Sequence, residues 1–166
     1  MNDDDAVLGI IDAAFSSVER PAHFHEDLSD PEAAEHDGLL RSRDRESLSY
    51  ADVGNAGWDP ICDALPSGVA YFFPKLVRLA LETPANPFDW YAGQLLFHLS
   101  YESDRNAFYR YCNPVQRAAV ADFLAHILQT RTALLQESES SHEFLSCLAL
   151  WRGSGEYNAS TDVPNR

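Results

Sequence analysis

Lysine is almost missing from this 166-residue chain: Lys75 stands alone beside eleven arginines, a skew read here as compositional bias and not as a recognition device. Cationic residues of both kinds are outnumbered, twelve against twenty-six carboxylates, for a formal charge of −14. A surface of that sign repels phosphate backbones and anionic headgroups. It counts against nucleic-acid or membrane-surface binding and favours a basic partner, or a purely solvating role. Cysteine is scarce too. Cys62, Cys112 and Cys147 are odd in number and lie 50 and 35 residues apart, which suits no close metal-ligand pair and predicts free thiols in a reducing cytoplasm. No basic, then apolar, leader follows the opening Met-Asn-Asp-Asp-Asp, so a cytoplasmic location is expected. The most apolar stretches, 69–81 and 95–99, are too short or interrupted to span a bilayer. Also missing are a glycine-rich phosphate loop, a Gly-x-Ser-x-Gly elbow and a Cys-His signature, and no cofactor is expected. His142-Glu143 has Ser, not His, at position 146, which removes the metalloprotease pattern.

Core material is plentiful, with 45% apolar residues, nine Phe, seven Tyr and three Trp, and the length suits one domain. Four times an Asn or Asp precedes a proline ahead of an apolar run: Asp30-Pro31, Asp59-Pro60, Asn86-Pro87 and Asn113-Pro114. The Asx side chain can accept from a free N–H of a first helical turn, where proline loses nothing by lacking its own. The pairs therefore read as helix starts. Periodicity predicts helices over about 5–18, from Pro31 with a break near His36, over 58–65 until Pro66 stops it, and up to Leu81 with Phe73-Pro74 as a kink or restart. Further helices are predicted from Asn86 to Leu99, from Asp104 to Tyr111, over 114–135 behind an Asn113/Gln116 capping box, and behind a second box at Ser140/Glu143 as far as Gly153. The 86–99 helix, apolar nearly all round, is the expected centre.

The fold class is thus all-α, a compact single-domain bundle of about six to eight helices over 1–153, with 20–57 partly loop-like and acidic and 154–166 a disordered tail. Prolines 31, 60, 87 and 114 lie 29, 27 and 27 residues apart, yet the intervening residues do not match, which leaves a helical repeat as the minority reading.

The one cluster of metal-like composition is His23-x-His25 with Glu26, Asp27, Asp30, Glu35 and His36. Imidazoles and carboxylates suit zinc or non-haem iron. A polar surface loop is the favoured reading, because nothing fixes the geometry. His98 and His126, inside apolar helices, read as hydrogen-bonded or boundary histidines, and Tyr71-Phe72-Phe73 as core. Residues 1–47 hold thirteen carboxylates against four arginines, a balance of −9. Asp27, Asp30, Glu32, Glu35 and Asp37 are the candidate contacts for a basic protein partner.

The stretch Asp63-Ala-Leu-Pro-Ser-Gly-Val-Ala-Tyr-Phe-Phe-Pro-Lys-Leu-Val-Arg-Leu-Ala-Leu-Glu82 resembles the signature of a bacterial family of small, mostly helical proteins of unknown function, in which an aromatic-Leu-Pro step enters an apolar helix. Asn113-Pro-Val-Gln-Arg-Ala-Ala-Val-Ala-Asp-Phe-Leu124 is similar to that family's second block, which opens Thr-Pro-x-Gln-Arg. The helix around Ile10–Phe15 also fits. Phe73 replaces the usual Leu and Asn113 the usual Thr. The resemblance implies a shared helical fold and carries no catalytic residues. The functional expectation is a non-enzymatic, protein-binding protein in an accessory or immunity-like role. The alternative is a metal-dependent enzyme using the His23/His25 segment.

Overall fold

The computed structural model describes residues 3–153. Among them the regular elements are helices: α1 (Asp3–Phe15), α2 (Pro31–Arg41), α3 (Tyr50–Val53), α4 (Pro66–Leu81), α5 (Tyr91–Ser100), α6 (Ala107–Tyr111), α7 (Pro114–Thr130), α8 (Thr132–Glu137) and α9 (Ser141–Trp151). Short 3-10 turns lie at Pro87–Asp89 and Ser103–Arg105. The all-α class is as expected from the sequence. The tail read at 154–166 lies outside the described residues.

Two Asx–Pro pairs open α-helices. Asp30 Oδ1 accepts from Ala33 N–H at 3.0 Å at the head of α2. Asn113 and Gln116 exchange bonds of 2.8 and 3.0 Å at the head of α7. The other two pairs make only turns. Asn86 accepts from Phe88 N–H at 3.1 Å, but Trp90 is extended at φ −70°, ψ 112°, with its indole N–H donated to the Ala80 carbonyl at 2.9 Å. That anchor ends the turn, and α5 starts afresh at Tyr91. Asp59 Oδ1 accepts from Ile61 N–H at 2.9 Å within a run of turns, so the helix predicted over 58–65 does not form. Pro66, predicted to stop it, is instead the first residue of α4, and α4 continues unbroken through Pro74.

Two smaller corrections concern which side chain caps a helix. Asn106, not Asp104, caps α6 by accepting from Tyr109 N–H at 2.9 Å. Ser140 lies 2.6 Å from Ser138 Oγ and caps nothing. Helix α2 runs past His36 to Arg41, because His36, Asp37 and Leu40 are buried together on one face. Gly153, at φ 69°, takes the left-handed position beyond α9 that the sequence predicted for it.

Helix α1 packs on α4 and α7, α4 on α5, α5 on α9, and α9 back on α7, so five helices close a ring. Helix α6 fills one opening of it. Phe108 reaches Phe73 at 5.1 Å, Phe15 at 6.2 Å and Trp151 at 5.7 Å between ring centroids. Eleven of the sixteen residues of α4 are buried; α4 is the central helix, not α5, whose Phe97 is 51% exposed. The segment carrying α2 and α3 lies against α4 through Phe24. The Phe24 ring meets Phe72 at 5.2 Å and passes so close to Gly68 that any Cβ there would sit 2.6 Å from it.

The arginine excess has a structural use. A helix leaves its last carbonyls without intrahelical partners, and one guanidinium carries five donors in a rigid fork. Arg45 donates to Phe15 O of α1 at 3.0 Å, Arg20 to Arg41 O of α2 at 2.8 Å, Arg131 to Leu81 O of α4 at 2.9 Å and Arg117 to Tyr109 O of α6 at 2.9 Å. Three of these fasten a helix end to a segment more than twenty residues away and Arg117 ties the end of α6 to α7, contacts that composition alone cannot reveal.

Candidate functional site

The His23–Asp37 segment is built into the fold. Asp37 is 2% exposed. Its Oδ1 accepts from Phe24 N–H at 2.6 Å and His25 N–H at 3.3 Å, and its Oδ2 lies 3.0 Å from His23 Nδ1. Burial alone would push this carboxyl up; the His23, Phe24 and His25 bonds outweigh it and hold Asp37 below the usual carboxylate range. A side chain so enclosed is an anchor and not the surface contact expected of it. His25 Nε2 donates to the Pro60 carbonyl at 2.8 Å. His36 packs edge-on against Trp58 at 4.8 Å, with Nε2 buried and unpartnered. His23, His25 and His36 therefore fasten the 20–30 loop and α2 to the 58–62 turn. Among the described residues no group of three or more His, Cys, Asp or Glu side chains is placed to hold a metal ion.

The remaining acids differ in freedom. Asp27 accepts from Ser29 Oγ and Ser29 N–H, and these bonds hold it below the usual range. Asp30 is spent on its cap. Glu32 and Glu35 are exposed.

A second polar knot forms where the sequence predicted only a helix start. Asp59, 5% exposed, receives Gln94 Nε2 and His98 Nε2 on one oxygen, both at 2.6 Å, and Ile61 N–H on the other. An ionised carboxylate only accepts, so His98 carries its ring proton on Nε2. Gln94 also donates to Val53 O at 2.6 Å, which ties α5 to the end of α3. His126 is likewise hydrogen-bonded, to Asp4 at 2.6 Å, and Arg131 completes that pair at 2.8 Å. Burial pushes the Asp4 carboxyl up, but the Arg131 and His126 bonds outweigh it and lower it overall. Both histidines fill the ordinary role the sequence assigned them.

Around Asp59 the surface is hollow. A groove of about 720 Å³ lies between the 54–62 turn and the Pro87–His98 stretch. A hollow of about 340 Å³ shares Cys62, Phe97 and His98 with it, and one of about 320 Å³ shares Tyr50 and Asp89. Asp59, Asp63, Glu82, Asp89 and Glu102 line this face, and among the described residues no Lys or Arg does. Aromatic rings stand at its rim. The Asn86-Pro87 turn holds Phe88 out at 88% exposure, with Phe97 at 51% and Tyr101 at 57%. Phe97 and Tyr101, one turn apart, lie 5.3 Å from each other.

Among the described residues, the thiol and serine hydroxyls at the groove have no activating partner. Burial, Asp63, Asp59 and Glu32 all push the exposed Cys62 thiol up, the opposite of an activated thiolate. Cys112 and Cys147 are buried, and burial pushes both thiols up to about 12. Ser138 donates to the Leu134 carbonyl at 2.7 Å and meets Ser140 at 2.6 Å, so neither hydroxyl is hydrogen-bonded to a base. Burial and the Asp59 charge push the buried, unpartnered Tyr91 hydroxyl well above its ordinary range. Phe88 falls within the apolar 86–99 run that the sequence marks as central, and the sequence gives Asp59 no role beyond a cap, because its partners Gln94 and His98 lie 35 and 39 residues away. No family model, curated protein or solved structure matches the chain.

Proposed function

We propose that the protein is a non-enzymatic, protein-binding module in an accessory or immunity-like role, and that the acidic, aromatic-rimmed groove beside Asp59 is its contact surface for a basic partner. One observation carries the reading: Phe88 and Phe97 are 88% and 51% exposed on a face lined by carboxylates and, among the described residues, by no lysine or arginine. Exposed large aromatics gathered at a concavity mark recognition surfaces, whereas isolated ones need no explanation. The outward carboxylates of Glu32 and Glu35 add to the same field, since Glu32 lies near enough to Cys62 at the groove edge to raise its thiol. They steer a cationic partner towards the rings.

Covering one phenylalanine contributes about 1.5–3 kcal/mol, so removing both rings should weaken the complex by roughly 100-fold or more. The test is capture from native extract with the wild type and with a Phe88→Ser/Phe97→Ser variant. Any protein retained by the first and lost by the second is then purified and titrated by calorimetry. A basic partner bound at least ~100-fold more weakly by the variant is the expected result. Equal affinity for both proteins would remove the groove from the binding surface.

A further inference from the structure

The groove holds half of an interaction that this protein completes elsewhere within itself. Among the described residues, guanidinium groups sit over aromatic rings at four places: Arg20 over Phe24 and Tyr71, Arg45 over Tyr71, and Arg117 over Tyr109, at 5.5, 5.2, 4.8 and 4.2 Å from the ring centroids. At the groove the rings are present and the cation is not. Among the described residues, Phe88, Phe97 and Tyr101 have no guanidinium or ammonium above them. Beside Phe88, the exposed Asp89 carboxylate lines both the main groove and the hollow behind Tyr50, with no hydrogen-bond or ion-pair partner among the described residues. Asp59 is different. Its oxygens are already taken by Ile61, Gln94 and His98, so it contributes charge to the floor and positions α5 rather than offering a free acceptor.

Resting on the protein-binding reading above, we infer that the groove recognises an arginine side chain on an exposed segment of the protein partner, with the guanidinium stacked on the Phe88/Phe97 rings and forked onto the Asp89 carboxylate. Charge complementarity selects a cation. The pairing of ring faces with a free carboxylate selects arginine over lysine, because a guanidinium is planar, weakly hydrated and bidentate, whereas an ammonium is a compact, strongly hydrated point charge.

Backbone amide shifts of the isotope-labelled full-length chain would be followed during titration with three capped amino acids: acetyl-arginine methylamide, its lysine counterpart, and the uncharged isostere acetyl-citrulline methylamide. Arginine should give saturable shifts centred on Phe88, Asp89, Phe97 and Tyr101, with a dissociation constant on the order of 10 mM for so small a probe. Lysine should bind at least ~5-fold more weakly and citrulline should produce no saturation. Asp89→Asn, an exposed change that leaves the fold intact, should weaken arginine binding by roughly 5- to 10-fold. Arginine shifts that fail to saturate, that fall on other residues, or that lysine or citrulline matches would overturn the inference. A silent arginine titration together with partner capture lost in Phe88→Ser/Phe97→Ser would refute arginine recognition alone. Failure of both experiments would refute the binding surface itself.

Discussion

Removing the Asp59 carboxylate is the sharpest test of how the groove is held. In Asp59→Ala, three donors lose an acceptor at once. Gln94 keeps its 2.6 Å bond to Val53 O and can spare the second. Ile61 N–H cannot, since Ile61 is 2% exposed, and His98, whose side chain is 11% exposed, is barely better placed. A stranded buried donor costs about 1–3 kcal/mol. Water entering from the groove relieves His98 in part, which puts the expected loss at about 3 kcal/mol. Against a total of about 5–15 kcal/mol, the variant still folds, and with a slope near 2 kcal/mol per M its urea midpoint falls by roughly 1.5 M. Urea titration followed by far-UV circular dichroism gives the global number, and fluorescence of Trp58, the residue next to Asp59, reports the local one. His98→Ala removes one of the stranded donors, so the double variant should be less destabilised than the sum of the singles by about 1–2 kcal/mol. A loss below about 1 kcal/mol in Asp59→Ala, or strict additivity with His98→Ala, would show that the knot does not hold the groove.

Phe123 is 1% exposed inside the α1–α7–α9 packing, so Phe123→Ala should cost about 3–5 kcal/mol by urea unfolding, and a loss under 1 kcal/mol would contradict that packing. Because the folded carboxyl of Asp37 lies below its ordinary value of 3.8, its stabilising contribution is complete above that pH and disappears as pH falls through the folded value. The stability gap between wild type and Asp37→Asn should therefore be constant near neutrality and close as pH drops from about 4 towards 2, and a gap that persists at the lowest pH would refute the linkage. Once a partner is identified, Asp27→Asn/Asp30→Asn/Glu32→Gln/Glu35→Gln should slow association by about 3- to 10-fold at low salt and flatten its salt dependence in stopped-flow measurements, with the α2 cap preserved by asparagine; an unchanged rate would reduce these acids to a solvated surface.

Helix content was legible because its signals are local. The Asn113/Gln116 box and the Asp30 cap need nothing beyond four consecutive residues, and both formed as read. The same Asx–Pro code gave only turns at Asn86 and Asp59: the Trp90 indole pinned to Ala80 cut the first short, and at Asp59 the bond to Ile61 N–H formed but no helix followed, while Gln94 and His98 engaged the other carboxylate oxygen. The groove was illegible for the same reason. Phe88 and Phe97 look like core in an apolar run, but Phe88 sits on a separate turn that ends at the extended Trp90, and Phe97 lies on a face of α5 left half exposed. Asp37 was misplaced in the opposite direction, an acid among acids whose burial depends on the Phe24 loop folding back over it.

The unequal placement of the three cysteines turns the native chain into a ready-made single-label reagent. Cys112 and Cys147 are 3% and 2% exposed with thiols held protonated, whereas Cys62 is open at the groove edge beside Asp59 and Phe97. A maleimide fluorophore or nitroxide applied to the folded protein is thereby directed to one address. Its emission or linewidth would register anything that enters the groove, with no engineered cysteine and no background sites to remove.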